Sequence, residues 1–209
     1  MENGCSPRRG SWIDCLNSIF DLDAALRRIR PDRQRQRLAV RIPVALLPDD
    51  VDPLAVGPVL LDTCVFIDNG HDALPPGARR LLAARGLVHV SSVTGMELAS
   101  AFGRLDHADP RTAGSLRYLR EALARAPRHR VVNALPADHT MAGVLAGTLT
   151  RTQGLDREAR RRLLFDCLIL ASARRSGLTV LTANNQDFDL LQQLVTDAKV
   201  AFYRPDRER

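Results

Sequence analysis

Short apolar runs, each closing on a polar or acidic residue and each followed by a helical pattern, constrain this chain more than any other feature. VLL at 59–61 ends on Asp62, LVHVS leads into VTGMELAS, and LTVLT leads into ANNQDFDLL. A run as short as VLL, apolar at every position, is expected to be a parallel strand covered on both faces. Repetition of strand then helix predicts an α/β chain with a mostly parallel, helix-flanked sheet. The carboxyl ends of such strands are where open α/β sheets place ligands.

The same segments carry isolated carboxylates far apart in sequence: Asp62, Glu97, Asp166 in LLFDCLIL, and Asp187 in NNQDF. Brought to one rim they would form a cluster of like charge, costly unless cations share it. That is the signature expected of a divalent-metal centre for phosphodiester chemistry. Asp62 and Asp166 lie in apolar surroundings that offer few structural reasons for a charge. Glu97 has a competing one, because Thr94 and Glu97 stand at capping-box spacing. Asn185 and Asp187 could equally serve as turn and capping residues. Asp166 gains help from backbone amides if a fresh helix starts there, and the pattern leaves open one long helix or two with a break at Phe165.

With 209 residues, 45% of them apolar, the chain is long enough for one solid core. Aromatics are only 4%, so stacking platforms for bases are scarce. The formal charge is +6, carried almost wholly by arginine, with Lys199 the only lysine. An arginine-rich surface favours a polyanionic partner, since guanidinium grips phosphate through two donors at once. The four cysteines have neither zinc-site nor disulfide spacing. No secretory leader and no membrane-spanning stretch is read, so a cytoplasmic location and no membrane partner are expected.

Residues 1–57 differ in character from the remainder of the chain and are read as an N-terminal extension. SWIDCLNSIFDLDAALRRIR predicts an amphipathic helix with Ile13, Leu16, Ile19, Phe20, Ala24 and Arg28 on its periodic face, stopped by Pro31. Arg27, Arg28, Arg30, Arg33, Arg35, Arg37 and Arg41 then form a basic run. This is either an appended helix with a solvated linker or an arm that contacts nucleic acid or a partner. Further helices are predicted over 74–85, 112–126, 137–150 and 156–176, with RVVNALP as a short strand or extended connection and VAFY as a last strand. Residues 58–204 are read as the main domain and 205–209 as a charged tail.

In order, VLLDTCVFID, SSVTGMELAS, DCLILASARRSG and LTVLTANNQDF resemble the four motifs of the PIN domain family, the small nuclease fold of many bacterial toxin subunits. The resemblance spans about Val59 to Phe202. It implies a three-layer α/β/α sandwich and maps the family's metal-site acids onto Asp62, Glu97 and Asp166. The fourth place is divided between Asn184, where relatives are often acidic, and Asp187, which keeps the Asp-Phe pair. It further implies Mg²⁺- or Mn²⁺-dependent cleavage of single-stranded RNA, with the ions supplying an activated water and charge neutralisation. Thr182 and Asn184 would orient the site, and Arg104 and Arg117 are candidate backbone contacts. An antitoxin partner and a homodimer are implied as well. A catalytically weak or inactive PIN-fold protein that binds RNA or regulates is the alternative, motivated by Asn184 and the basic extension. A third reading is a structural domain whose carboxylates never converge.

Overall fold

The structure is a computed structural model that describes residues 19–41 and 45–206. Five strands form one sheet: β1 (Val59–Leu61), β2 (Val88–Ser91), β3 (Val131–Val132), β4 (Thr179–Thr182) and β5 (Lys199–Phe202). Their order is β3-β2-β1-β4-β5 and every pairing is parallel. Every residue of the central strands β1 and β4 is buried, which is what removes the need for alternation in VLL and TVLT. Alternate side chains nevertheless serve different cores. Leu60 and Val180 pack into one layer with Leu145, Leu149, Ile169 and Leu170. Val59, Leu61 and Leu181 face the other, with Val65, Leu74, Leu81 and Tyr203.

The second layer includes α3 (Thr63–Gly70) and α4 (Pro76–Ala83). The first includes α1 (Leu22–Ile29), α7 (Pro136–Gln153), α8 (Arg157–Arg175) and α9 (Asn185–Leu194). Helices α2 (Pro53–Val56), α5 (Ser92–Arg104) and α6 (Ala113–Arg125) complete the set. The three-layer α/β/α sandwich is therefore as the motifs imply, with a sheet that is parallel throughout. Gly154, at φ 67°, turns α7 into α8 in a left-handed conformation that suits glycine. Helix α8 runs unbroken through Phe165, so Asp166 sits in the middle of a helix and not at a fresh start.

The first helix differs from its predicted face. Asp21 and Arg30 adopt left-handed conformations, with φ 47° and 49°, and bound a helix that runs only from Leu22 to Ile29. That break resets the phase, so Ala25 and Ile29, one turn apart, enter the core. Ile19 and Phe20 remain 50% and 43% exposed, and Ala24 is only partly buried. Ile13 and Leu16 lie outside the described residues.

The chain from this helix onward is fastened to the sandwich at several points. Arg28 pairs with Asp197 at 2.6 Å, and Arg151 donates to the Pro31 and Gln34 carbonyls. Leu46 bridges Phe202 in parallel, and the Leu47 amide donates to the Phe202 carbonyl at 2.7 Å, which covers part of the exposed edge of β5. Pro48 then passes so close to α4 that a Cβ on Gly77 would overlap its carbonyl oxygen. The firmest clip is at Asp189, whose fully buried carboxylate accepts from the Arg41 backbone amide at 2.9 Å and from Arg41 Nε at 2.7 Å. Gln193 Nε2 supplies a third donor at 2.8 Å.

Removing the Arg41 side chain takes from that buried carboxylate its one charged donor. Arg41→Ala is expected to lower unfolding free energy by roughly 2–4 kcal/mol, at or below the cost of breaking a fully buried pair, because Gln193 and a backbone amide remain. Urea denaturation measures this, and a loss under about 0.5 kcal/mol, the level of an ordinary surface change, contradicts it.

Candidate metal centre

The carboxyl ends of β1, β2 and β4 bring the acidic residues together. Asp62 directly follows β1 and caps α3, its Oδ1 accepting from the Thr63 amide at 2.6 Å. Its Oδ2 accepts from Thr182 Oγ1, at the end of β4, at 2.6 Å and from Cys64 Sγ at 3.2 Å. A buried carboxylate thus receives three donors, as burial requires. Thr182 in turn accepts from the Asn184 amide at 2.9 Å, so one hydroxyl ties the β4 end to the β1 end.

Glu97 lies one turn into α5, and the competing cap explanation does not hold. The helix begins at Ser92, and Ser91 is its cap, accepting from the Val93 amide. Thr94 is fully buried and donates to the Leu61 carbonyl at 3.0 Å, which locks α5 onto β1. Glu97 instead accepts from Thr63 Oγ1 at 2.6 Å and faces the Asp62 corner. Asp166 projects from the middle of α8, where Asn184 Nδ2 donates to it at 3.0 Å. The same Asn184 amide donates to Asp187 at 3.0 Å, while its Oδ1 caps α9 by accepting from the Asp187 amide. The Asn184 side chain therefore bridges Asp166 and Asp187.

The four side chains feel one another. Burial pushes the Asp166 carboxyl well up from the ordinary carboxylate range, and the charges of Asp62, Asp187 and Glu97 push it further. Asp62 is raised chiefly by burial and in part by Asp187, against the lowering effect of its hydrogen bonds. Glu97 is raised by burial and, to a lesser degree, by Asp62. Burial and the Asp62 charge push the Cys64 thiol up to about 12, so it stays protonated as a donor. Among the described residues no ion pair includes any of the four acids.

A desolvated cluster of hard oxygen donors without a basic partner fits Mg²⁺ or Mn²⁺ in its chemistry. The same four acids are not drawn into a finished shell: among the described residues no group of three or more acidic, His or Cys side chains is arranged as a ready ligand set. Hydrogen bonds from Thr63, Thr182, Cys64 and Asn184 hold the carboxylates in place instead. Fit lies in donor type and shared field, not in preformed geometry.

Of the two candidate arginines, Arg104 ends α5 and lines the same groove as Glu97, whereas Arg117 is exposed on α6, outside that groove. Sequence reasoning does not single out Thr63, whose position just after the strand-ending Asp62 is the one signal that could have found it. Nor does it find the α8 residues Arg161, Arg162 and Phe165, which line the groove with Glu97. The available cue is that Arg162 stands one helical turn before Asp166, with Phe165 at helical spacing from both Arg161 and Arg162.

Several solved structures are similar to this chain. A structure of VapBC2 from Rickettsia felis bound to a DNA fragment from their promoter is similar at 15% identity and TM-score 0.47, covering 69% of this chain and 98% of that one. FitAcB from Neisseria gonorrhoeae is similar at 21% identity and TM-score 0.45, covering 68% and 96% respectively. A structure of FitAB bound to an IR36 DNA fragment is similar at 19% identity and TM-score 0.44, covering 68% and 92%. No curated protein sequence matches. The model of the PIN domain family matches residues 59–193, from the start of β1 into α9, and so takes in all four acids. The chain belongs to the PIN domain family.

Proposed function

We propose that the chain is a divalent-cation-dependent endoribonuclease that cleaves RNA phosphodiester bonds, acting in the cytoplasm as the toxin of a toxin–antitoxin pair. The observation that carries the nuclease reading is the shared field of Asp62, Glu97, Asp166 and Asp187, four acids from four separate segments with no basic partner among the described residues. The toxin role, an antitoxin partner and a homodimer rest on the family resemblance alone. Among the described residues no helix is long and apolar enough to cross a membrane.

Asp62, Glu97, Asp166 and Asp187 would hold Mg²⁺ or Mn²⁺. Such an ion, when bound, supplies an acidified water and neutralises charge on the phosphoryl group. The chain's own residues set the conditions for this. Thr182 and Cys64 fix the rotamer of Asp62, Thr63 aims Glu97 at the same corner, and Asn184 holds Asp166 and Asp187 on either side of one amide. These are outer partners of the kind that orient ligands and whose loss costs roughly 10–100-fold.

A second reading has a specific observation in its favour. Asn184 occupies oxygens of both Asp166 and Asp187, and no ready ligand set exists among the described residues. A protein that binds RNA with weak or no cleavage is consistent with this. Cleavage of a total-RNA pool with and without Mg²⁺, compared for wild type and Asp62→Asn, separates the two. We expect wild-type cleavage that needs the cation and falls by more than about 100-fold in Asp62→Asn and Asp166→Asn, beyond the loss seen for outer partners. Equal rates for wild type and both variants would sink the site. Glu97→Gln should keep the helix, since Ser91 is the cap, while losing activity.

The raised carboxyls also fix a sign for stability. A carboxyl whose folded pKa lies above its unfolded value binds more protons when folded, so its contribution falls as pH rises from about 4 through the raised value. In chelator, the wild type should therefore lose stability as pH climbs above about 4, and Asp166→Asn should lose less of it. At neutral pH the variant is expected to melt higher than the metal-free wild type. Added Mn²⁺ should raise the wild-type melting temperature and leave Asp166→Asn nearly unmoved, as ligand linkage requires. A variant that melts lower in chelator at neutral pH, with an equal response to Mn²⁺, contradicts the shared field.

A further inference from the structure

The seven arginines from Arg27 to Arg41 all precede the family match, which begins at residue 59. Four of them converge. Arg27 and Arg28 from α1, Arg30 at its C-cap and Arg33 in the turn that follows line a cavity of about 700 Å³ together with Gln34 and Thr196. Its floor is apolar, since Ile29 and Leu194, which also line it, are buried. The one acid in the lining, Asp197, is already held by Arg28 at 2.6 Å and by Arg174 at 2.9 Å. Among the described residues Arg27, Arg30 and Arg33 make no ion pair, and all three are exposed. The cavity therefore carries an excess of positive charge that no protein group answers among the described residues.

This cavity lies at the other end of the sheet from the acid cluster. Thr196 and Asp197 sit in the connection that enters β5 at its amino end, whereas Asp62 and Thr182 stand at the carboxyl ends of β1 and β4. Helix α9 spans the distance, with Asn184 capping it beside the acids and Leu194 ending it at the cavity, about 15 Å away. The backbone that carries the arginines is pinned. Ile29 is buried, the Arg30 amide donates to the Leu26 carbonyl at 2.9 Å, and the Arg33 amide donates to the Arg30 carbonyl at 2.9 Å. Arg151 holds the same turn through the Pro31 and Gln34 carbonyls. Arg30 itself keeps φ 49° and ψ 58°, a left-handed conformation that costs a residue with a Cβ, and such outliers concentrate at ligand clamps and switch regions.

Guanidinium groups bind phosphate through paired donors. A concave site of several hundred Å³ is of the size that takes a compact ligand, and a pinned turn lowers the ordering cost of holding one. No aromatic side chain lines the cavity, so an unstacked base gains nothing there. We infer that this cavity is a binding site for a compact polyanion built from linked phosphates, in which Arg27, Arg30 and Arg33 hold separate phosphoryl groups while Arg28 stays with Asp197. The site is separate from the acid cluster and does not depend on the nuclease reading.

The test is calorimetric titration of the full chain, freed of metal by chelator and dialysis, with sodium tripolyphosphate. One saturable site with half-saturation below about 1 mM is expected, and sulfate at equal ionic strength should bind at least about tenfold more weakly. Arg27→Ala and Arg33→Ala are each expected to weaken binding about tenfold, the loss of one charge-assisted contact. Arg30→Gly should weaken it to a similar extent while the melting temperature holds, because glycine takes the left-handed conformation without steric cost. Arg27→Lys should recover part of the loss, since it returns the charge without the paired donors. A nucleoside triphosphate titrated in the same way separates two sources of the ligand. Affinity at or above that for tripolyphosphate upholds the site for nucleotides, and lower affinity upholds it for inorganic polyphosphate. Absence of saturation in the wild type overturns the inference, as does unchanged affinity in all three charge-removing variants. A labelled RNA duplex that binds more tightly than tripolyphosphate and loses affinity in the same variants makes the surface a nucleic-acid contact and overturns it too.

Discussion

Mutual repulsion within a cluster of four carboxylates, three of them raised by burial, is the constraint around which the end of this sheet is built. A lone buried acid can be relieved by hydrogen bonds or by taking up a proton. Here Asp166 feels Asp62, Asp187 and Glu97 together, and no basic side chain among the described residues answers them. Asp189 and Asp138 present the opposite case. Both are buried, and each is met by an arginine, Arg41 and Arg175 respectively, so each acts as a structural clip. Asp138 and Asp189 are thus paired with arginine where they hold the fold together, whereas the acids at the strand ends have no ion-pair partner among the described residues.

The sheet supplies the placement and short hydrogen bonds supply the aim. Parallel pairing of β1 with both β2 and β4 sets Asp62, the start of α5 and Thr182 side by side at one edge. Thr94 then fastens α5 to Leu61, and Thr63 reaches across to Glu97, so two threonine contacts fix the angle at which that glutamate enters. Asn184 performs a comparable role between α8 and α9, a neutral amide where a further acid would add to the repulsion. The packed layers on both faces make these positions stiff, since close-packed interiors give little to local strain.

Much of the fold is legible in the sequence because its signals are local. VLL, LVHVS, LTVLT and VAFY are short apolar runs between helical patterns, and four of the five strands fall within them or overlap them. Asp62 and Asp166 stand out because a charge inside apolar sequence has few explanations. What escapes is information that depends on phase or on distant partners. The periodic face expected of the first helix is not the one it buries, because the left-handed backbone at Asp21 resets its periodicity, and nothing in the composition announces that. The Glu97 cap is a plausible local motif defeated by a cap three residues earlier, at Ser91. Arg41 meets Asp189 across 148 residues, and the groove of Arg104 with Arg162 exists only where two helices face each other.

The central claim is that the four acids share a cation, and calorimetric titration of the metal-free protein with Mn²⁺ tests it most directly. Run at mildly acidic pH in buffers of different ionisation enthalpy, it reports protons released as well as ions bound. Because the raised carboxyls must give up protons to act as ligands, the account predicts saturable binding with net proton release, both lost in Asp62→Asn and in Asp166→Asn. Absence of binding in the wild type, or binding without proton release that persists in both variants, would contradict it.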